Sequence, residues 1–94
     1  MFFPSTINLD DDYRVSKEDL KTQDESRIAN FKNHVKVYRF ASQFARNSYT
    51  LDAGCGTGYG SKILLQSGAS HVLGIDASEK AIEYASQNYS QELI

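Results

Sequence analysis

The run Thr50-Leu51-Asp52-Ala53-Gly54-Cys55-Gly56-Thr57-Gly58-Tyr59-Gly60 constrains this chain more than any other stretch. A short apolar segment ends in an acid, and every second residue is then glycine up to the start of a helical pattern. A second apolar segment, His71-Val72-Leu73-Gly74-Ile75, ends in a second acid, Asp76. The order is strand, tight turn, helix, strand, which opens a nucleotide-type α/β fold. A chain that leaves a strand and enters a helix at once needs backbone angles that glycine reaches at little cost. The bare backbone also lets a ligand lie directly on the turn.

The glycine spacing discriminates between ligands. The dinucleotide fingerprint G-x-G-x-x-G puts a small residue third, for close helix packing. Counted from Gly54 that place holds Tyr59, and counted from Gly56 it holds Ser61. The pattern present, from Asp52 to Gly58, is Asp-x-Gly-x-Gly-x-Gly. It resembles motif I of the class I S-adenosylmethionine-dependent methyltransferases. The resemblance implies a Rossmann-like parallel sheet with flanking helices, and S-adenosylmethionine as cofactor. That molecule carries an ammonium, a sulfonium and a ribose diol but no phosphate, so the loop need not act as an anion nest.

Within the resemblance each loop residue has an expected place. Asp52 would set negative charge near the methionyl ammonium, directly or through water, or bond to loop amides. Asp76 lies eighteen residues past Gly58, near the interval of about 20 after which an acid meets ribose hydroxyls in related folds. A carboxylate there accepts from both hydroxyls and repels a 2′-phosphate. Gly54, Cys55, Gly56 and Gly58 would line the hollow, with Cys55 as a small loop residue rather than a nucleophile, since no base is readable beside it. Tyr59 would close over the methionyl group or pack on the turn, and Ala77 would contact the adenine edge. Tyr38 would pack against the methionyl end or simply belong to the core.

Ninety-four residues, 40% apolar and 23% charged, suit a soluble single domain or part of one. A net charge of −2 argues against an electrostatic grip on nucleic acid. No apolar run approaches the ~20 residues of a membrane span, and Met1-Phe2-Phe3-Pro4 runs into polar residues rather than a signal-peptide core. A cytoplasmic location is the default. Cys55 is the only cysteine, which excludes an internal disulfide and a cysteine-based metal site. With only His34 and His71 besides, no metal site is expected.

The resemblance implies a sheet longer than this chain supplies. The chain is therefore expected to be a truncated, amino-terminal part of the domain, a helix followed by β-α-β-α. Residues 1–21 read as a polar, partly disordered leader, and 22–94 as the cofactor-binding portion. Seven of the twelve acids fall at or before Glu25. A sharper alternative makes the leader a lid, with Tyr13 or Arg14 touching the cofactor.

Thr22-Gln23-Asp24-Glu25 fits a capping box. Behind it Ile28, Phe31, Val35, Tyr38, Ala41 and Phe44 or Ala45 form one apolar stripe, predicting a helix to about Arg46 that Asn47 closes in a left-handed conformation. Phe40 is assigned to the core with Tyr38, and His34 reads as a satisfied structural histidine. Tyr49 to Ala53 is the first strand. A helix starting at Gly58 or Tyr59 carries Ile63, Leu64 and Leu65 and stops at Gly68. His71 to Asp76 is a parallel second strand, apolar enough to be covered on both faces. Ser78 caps a last helix whose inner face is Ala81, Ile82, Ala85 and Tyr89.

The function expected is transfer of a methyl group to a small-molecule acceptor, with no catalytic residue assignable. Acceptor contacts in the family come largely from segments beyond the second helix. Competing expectations are an aminopropyl transferase or lyase on the same cofactor, a cofactor-binding module without turnover, and a nicotinamide enzyme, which the glycine spacing disfavours. A two-stranded sheet has two unpaired edges, so self-association or a partner chain is expected to complete it.

Overall fold

The computed structural model describes residues 14–89. Tyr13, the acidic run Asp10 to Asp12 and residues 90–94 lie outside them. The described chain is α1 (Glu25–Ala45), β1 (Tyr49–Ala53), α2 (Tyr59–Gln66), β2 (His71–Ile75) and α3 (Glu79–Tyr89), preceded by a 3-10 turn at Lys17–Lys21. β1 and β2 pair in parallel, Tyr49 beside His71 through to Ala53 beside Ile75. This is a Rossmann-like α/β arrangement, with the helices flanking a two-stranded parallel sheet.

The cap of α1 differs from expectation. Asp24, not Thr22, is the N-cap: its carboxylate accepts from the N–H groups of Ser26 and Arg27 at 3.0 and 3.4 Å. The Thr22 hydroxyl accepts from the Asp24 N–H instead, so it braces the cap residue. An ionised cap satisfies two orphan donors and complements the positive end of the helix. No glycine or proline interrupts the next 21 residues. Of the two candidates for the end of the stripe, Ala45 is buried, whereas Phe44 is 74% exposed.

Helix ends are set by local chemistry. Asn47 takes φ 61° after α1, and Gly68 takes φ 119° after α2. The Ala69 N–H reaches the Leu64 carbonyl and the Gly68 N–H that of Leu65, the paired bonds of a Schellman close. The Asn47 N–H then donates to the Gly68 carbonyl at 2.8 Å, so the two helix ends are tied together just before each strand begins. Ser78 caps α3 through the Ala81 N–H at 3.2 Å. Ala81, Ile82, Ala85 and Tyr89 are all buried, as their spacing predicts.

The sheet corrects a second expectation. β2 is covered on one face: Val72 and Gly74 are buried, while His71 and Leu73 are exposed. On β1 the same alternation buries Asp52 and leaves Tyr49, Leu51 and Ala53 open. α2 packs against both strands and against α1 and α3, so the described helices fill the inner face only. Phe40, expected in the core, is 63% exposed and stands edge-on to Phe44 on the outer side of α1. An apolar run in the sequence records that a strand prefers cover, not which of its faces the described residues provide for.

The segment read as leader is also different from Arg14 onward. Ser16 and Asp19 form a capping box around the 3-10 turn, each side chain accepting from the other's end of it. Both residues are buried. The turn lies against α1, and the Glu18 carboxylate accepts from the Tyr84 hydroxyl on α3 at 2.8 Å.

Candidate functional site

The loop between β1 and α2 is made by three left-handed glycines. Gly54, Gly56 and Gly58 have φ of 77°, 57° and 96°, a region that other L residues enter only at a cost. A Cβ placed on Gly54 or Gly56 would meet nothing within 4 Å. The glycines are thus needed for backbone angle, and they also leave open space over the turn.

The loop amides are largely committed. Those of Gly54 and Cys55 both donate to the Ile75 carbonyl at 2.8 Å, and that of Gly58 to Cys55 at 3.2 Å. The Gly56 amide donates to Asp76 Oδ2 at 2.8 Å, while Asp76 Oδ1 accepts from the Ser78 N–H at the same distance. Asp76 therefore clasps the loop to the end of β2. An ionised carboxylate has about four lone-pair sites, so acceptor capacity remains for hydroxyl donors. Ala77 is exposed next to it.

Asp52 closes the other side. It sits on the buried face of β1 beside Gly74, which has no side chain to compete for the space. Its partners are not loop amides. The Tyr38 hydroxyl donates to Oδ1 at 2.9 Å and the Ser61 hydroxyl to Oδ2 at 2.6 Å. Burial raises the Asp52 pKa, opposed by the bonds from Ser61 and Tyr38, with the nearby Asp76 charge adding to the rise. Burial first, and then the charge and hydrogen bond of Asp52, push the Tyr38 phenol well above its ordinary value, so it stays a donor. Ser61 is wholly buried and has no role in the sequence-based expectation. The available signal is its place one turn before Leu64, a small hydroxyl on the apolar face of α2.

Tyr59 turns inward. Its ring lies 5.0 Å from Phe31 and 5.9 Å, edge-on, from Tyr38, and its hydroxyl meets His34 Nδ1 at 2.5 Å. His34 is accordingly a partnered structural histidine, and Tyr59 packs against α1. Asp52, Tyr38 and the loop glycines come together, with Asp76 facing them from the end of β2.

Cys55 is buried, and burial followed by the charges of Asp52 and Asp76 pushes its thiol up to about 12. The thiolate is the reactive form. In the folded protein at pH 8, alkylation by iodoacetamide is expected to be on the order of 10³-fold slower than for an ordinary thiol, from thiolate population alone. Mass-spectrometric labelling with and without denaturant checks this, and rapid native labelling would place Cys55 outside the core of the loop. Among the described residues, no three His, Cys, Asp or Glu side chains are grouped to hold a metal ion. Nor is any of their helices long and apolar enough to cross a membrane.

A parallel β-α-β unit with an open glycine turn between two strand-end carboxylates is the arrangement at which Rossmann-like folds hold small-molecule ligands. A family model described as a methyltransferase domain matches residues 50–94, from the first strand onward. The match supports a relationship to the class I S-adenosylmethionine-dependent methyltransferases over that stretch, and a methyltransferase function in general terms. No curated protein and no solved structure matches the chain significantly.

Proposed function

We propose that the chain forms the cofactor-binding part of a methyltransferase that uses S-adenosylmethionine and acts on a small-molecule acceptor. The observation that carries this is the bare turn over Gly54 and Gly56, open where Cβ atoms would stand and set between Asp52 and Asp76. The donor set fits the ligand: Asp52 would face the methionyl ammonium and Asp76 the ribose hydroxyls. The bound cofactor supplies a methyl group made electrophilic by the sulfonium.

What this chain contributes is placement. Tyr38 and Ser61 fix both oxygens of Asp52, so the charge that would meet the ammonium is oriented beforehand. Methyl transfer is an in-line displacement governed by positioning, with a base needed only for a poorly nucleophilic acceptor. Cys55, buried and held as the thiol, does not serve as a nucleophile. A small acceptor accords with the net charge of −2, which is unsuited to a polyanion.

Calorimetric titration with S-adenosylmethionine and, separately, NAD tests the assignment. S-adenosylmethionine is expected to bind and NAD not, because a pyrophosphate needs amides that this loop has already committed. A preference for NAD would overturn it.

A further inference from the structure

The segment from Arg14 to Lys21 is fastened to both arms of the proposed site. Thr57 stands between two left-handed glycines, yet the residue is only 4% exposed. Its hydroxyl donates to the Val15 carbonyl at 2.6 Å, across 42 residues of chain. Ser16 follows at once and caps the 3-10 turn. From that turn Glu18 takes the Tyr84 hydroxyl, and the Lys17 ammonium lies 5.4 Å from the Tyr89 ring centre. One end of this strap is thus bonded to the loop that follows Asp52, and the other to the helix that follows Asp76.

Between strap and α3 lies a cavity of about 160 Å³ lined by Arg14, Ser16, Thr57, Lys80, Ala81 and Tyr84. That is below the roughly 300 Å³ at which small-molecule sites begin. The contact is a clasp rather than a second ligand site.

We propose that Thr57 is a positioning residue, and that through it the strap 14–21 holds the glycine turn at the spacing from Asp76 that the cofactor requires. The proposal rests on the S-adenosylmethionine assignment and deepens it. A turn with a left-handed glycine at every second position has little stiffness of its own. Asp76, from the β2 side, and Thr57, from the strap side, tie its centre down by side-chain bonds between distant residues. A ligand that needs both carboxylates at fixed separation then binds the strapped form, and binding must in turn protect the strap.

Hydrogen exchange and calorimetry on the full 94-residue chain test it, with S-adenosylmethionine as the probe. In the wild type, saturating S-adenosylmethionine is expected to slow exchange across 15–21. Thr57→Val, nearly isosteric, should speed exchange there and at 54–58 without ligand, and weaken S-adenosylmethionine binding by about tenfold, the worth of one buried hydrogen bond. Thr57→Ser should restore both. Tyr84→Phe loosens the far end without touching the loop and should weaken binding severalfold, which covers the case of a Thr57→Val protein that does not fold. Unchanged affinity in Tyr84→Phe and no ligand protection of the strap would overturn the proposal while leaving the cofactor assignment standing. A wild type that fails to bind S-adenosylmethionine overturns the cofactor assignment and the proposal together, and the wild-type titration alone reveals it.

Discussion

Gly60→Ala is expected to destabilise the fold by about 2–4 kcal/mol, although alanine is normally the better helix residue. A Cβ at Gly60 would fall well inside van der Waals contact with Cζ, Cε1 and Cε2 of Tyr38. The ring cannot simply swing aside, because its hydroxyl is bonded to Asp52 and its edge lies against Tyr59. Overpacking costs roughly 1–3 kcal/mol, and losing a hydrogen bond to a buried charged group about 1.5–3. The helix-propensity gain of roughly 1 kcal/mol offsets only part of this. Urea unfolding should show a lower midpoint with an unchanged slope. In a Tyr38→Ala background the same substitution should cost little, so the double-mutant cycle carries a large coupling. A neutral or stabilising Gly60→Ala in the wild-type background would mean that the Tyr38 ring is not held where it lies.

The features legible in the sequence are those that local chemistry decides. β1 runs from Tyr49 to Ala53 as predicted, and the buried face of α3 is the predicted one. Asn47 and Gly68 close their helices by the left-handed turn their residue types favour. The loop glycines fall between β1 and α2, with Asp52 near the end of β1 and Asp76 just after β2. What stayed hidden depends on residues brought together from afar. Asp52 is held by Tyr38, fourteen residues before it, and by Ser61, nine after it, and no periodicity links those positions.

The strap was obscured by composition. Its acids and lysines read as a solvated leader, and the Ser16 and Asp19 spacing of a capping box went unread. Phe40 and Leu73 were misplaced for another reason. Apolar character says that a side chain gains from burial, at about 25 cal/mol per Å². It does not say that the described residues include the surface to cover it.

Asp52→Asn is expected to separate binding from stability. The variant should bind S-adenosylmethionine at least about 30-fold more weakly, corresponding to the roughly 2 kcal/mol or more lost when one member of a desolvated charge pair is removed. Without ligand it should be as stable as the wild type at pH 7, or more so. Burial holds the Asp52 pKa above its ordinary value, the bonds from Ser61 and Tyr38 notwithstanding. A carboxyl whose folded pKa is raised favours the fold below the ordinary carboxylate range, and that contribution is lost as pH climbs through the raised value. Above that raised value the wild type keeps a buried charge that asparagine lacks. The amide can still be partnered, since Tyr38 and Ser61 hydroxyls accept as well as donate. Unfolding curves from pH 4 to 8 should show the stability difference, variant minus wild type, rising with pH and then levelling. A bound ammonium would favour ionised Asp52, so wild-type affinity should also fall on acidification through its pKa. An Asp52→Asn variant that binds as tightly as the wild type would reduce Asp52 to a structural acid, bonded to Tyr38 and Ser61 for the sake of the fold alone.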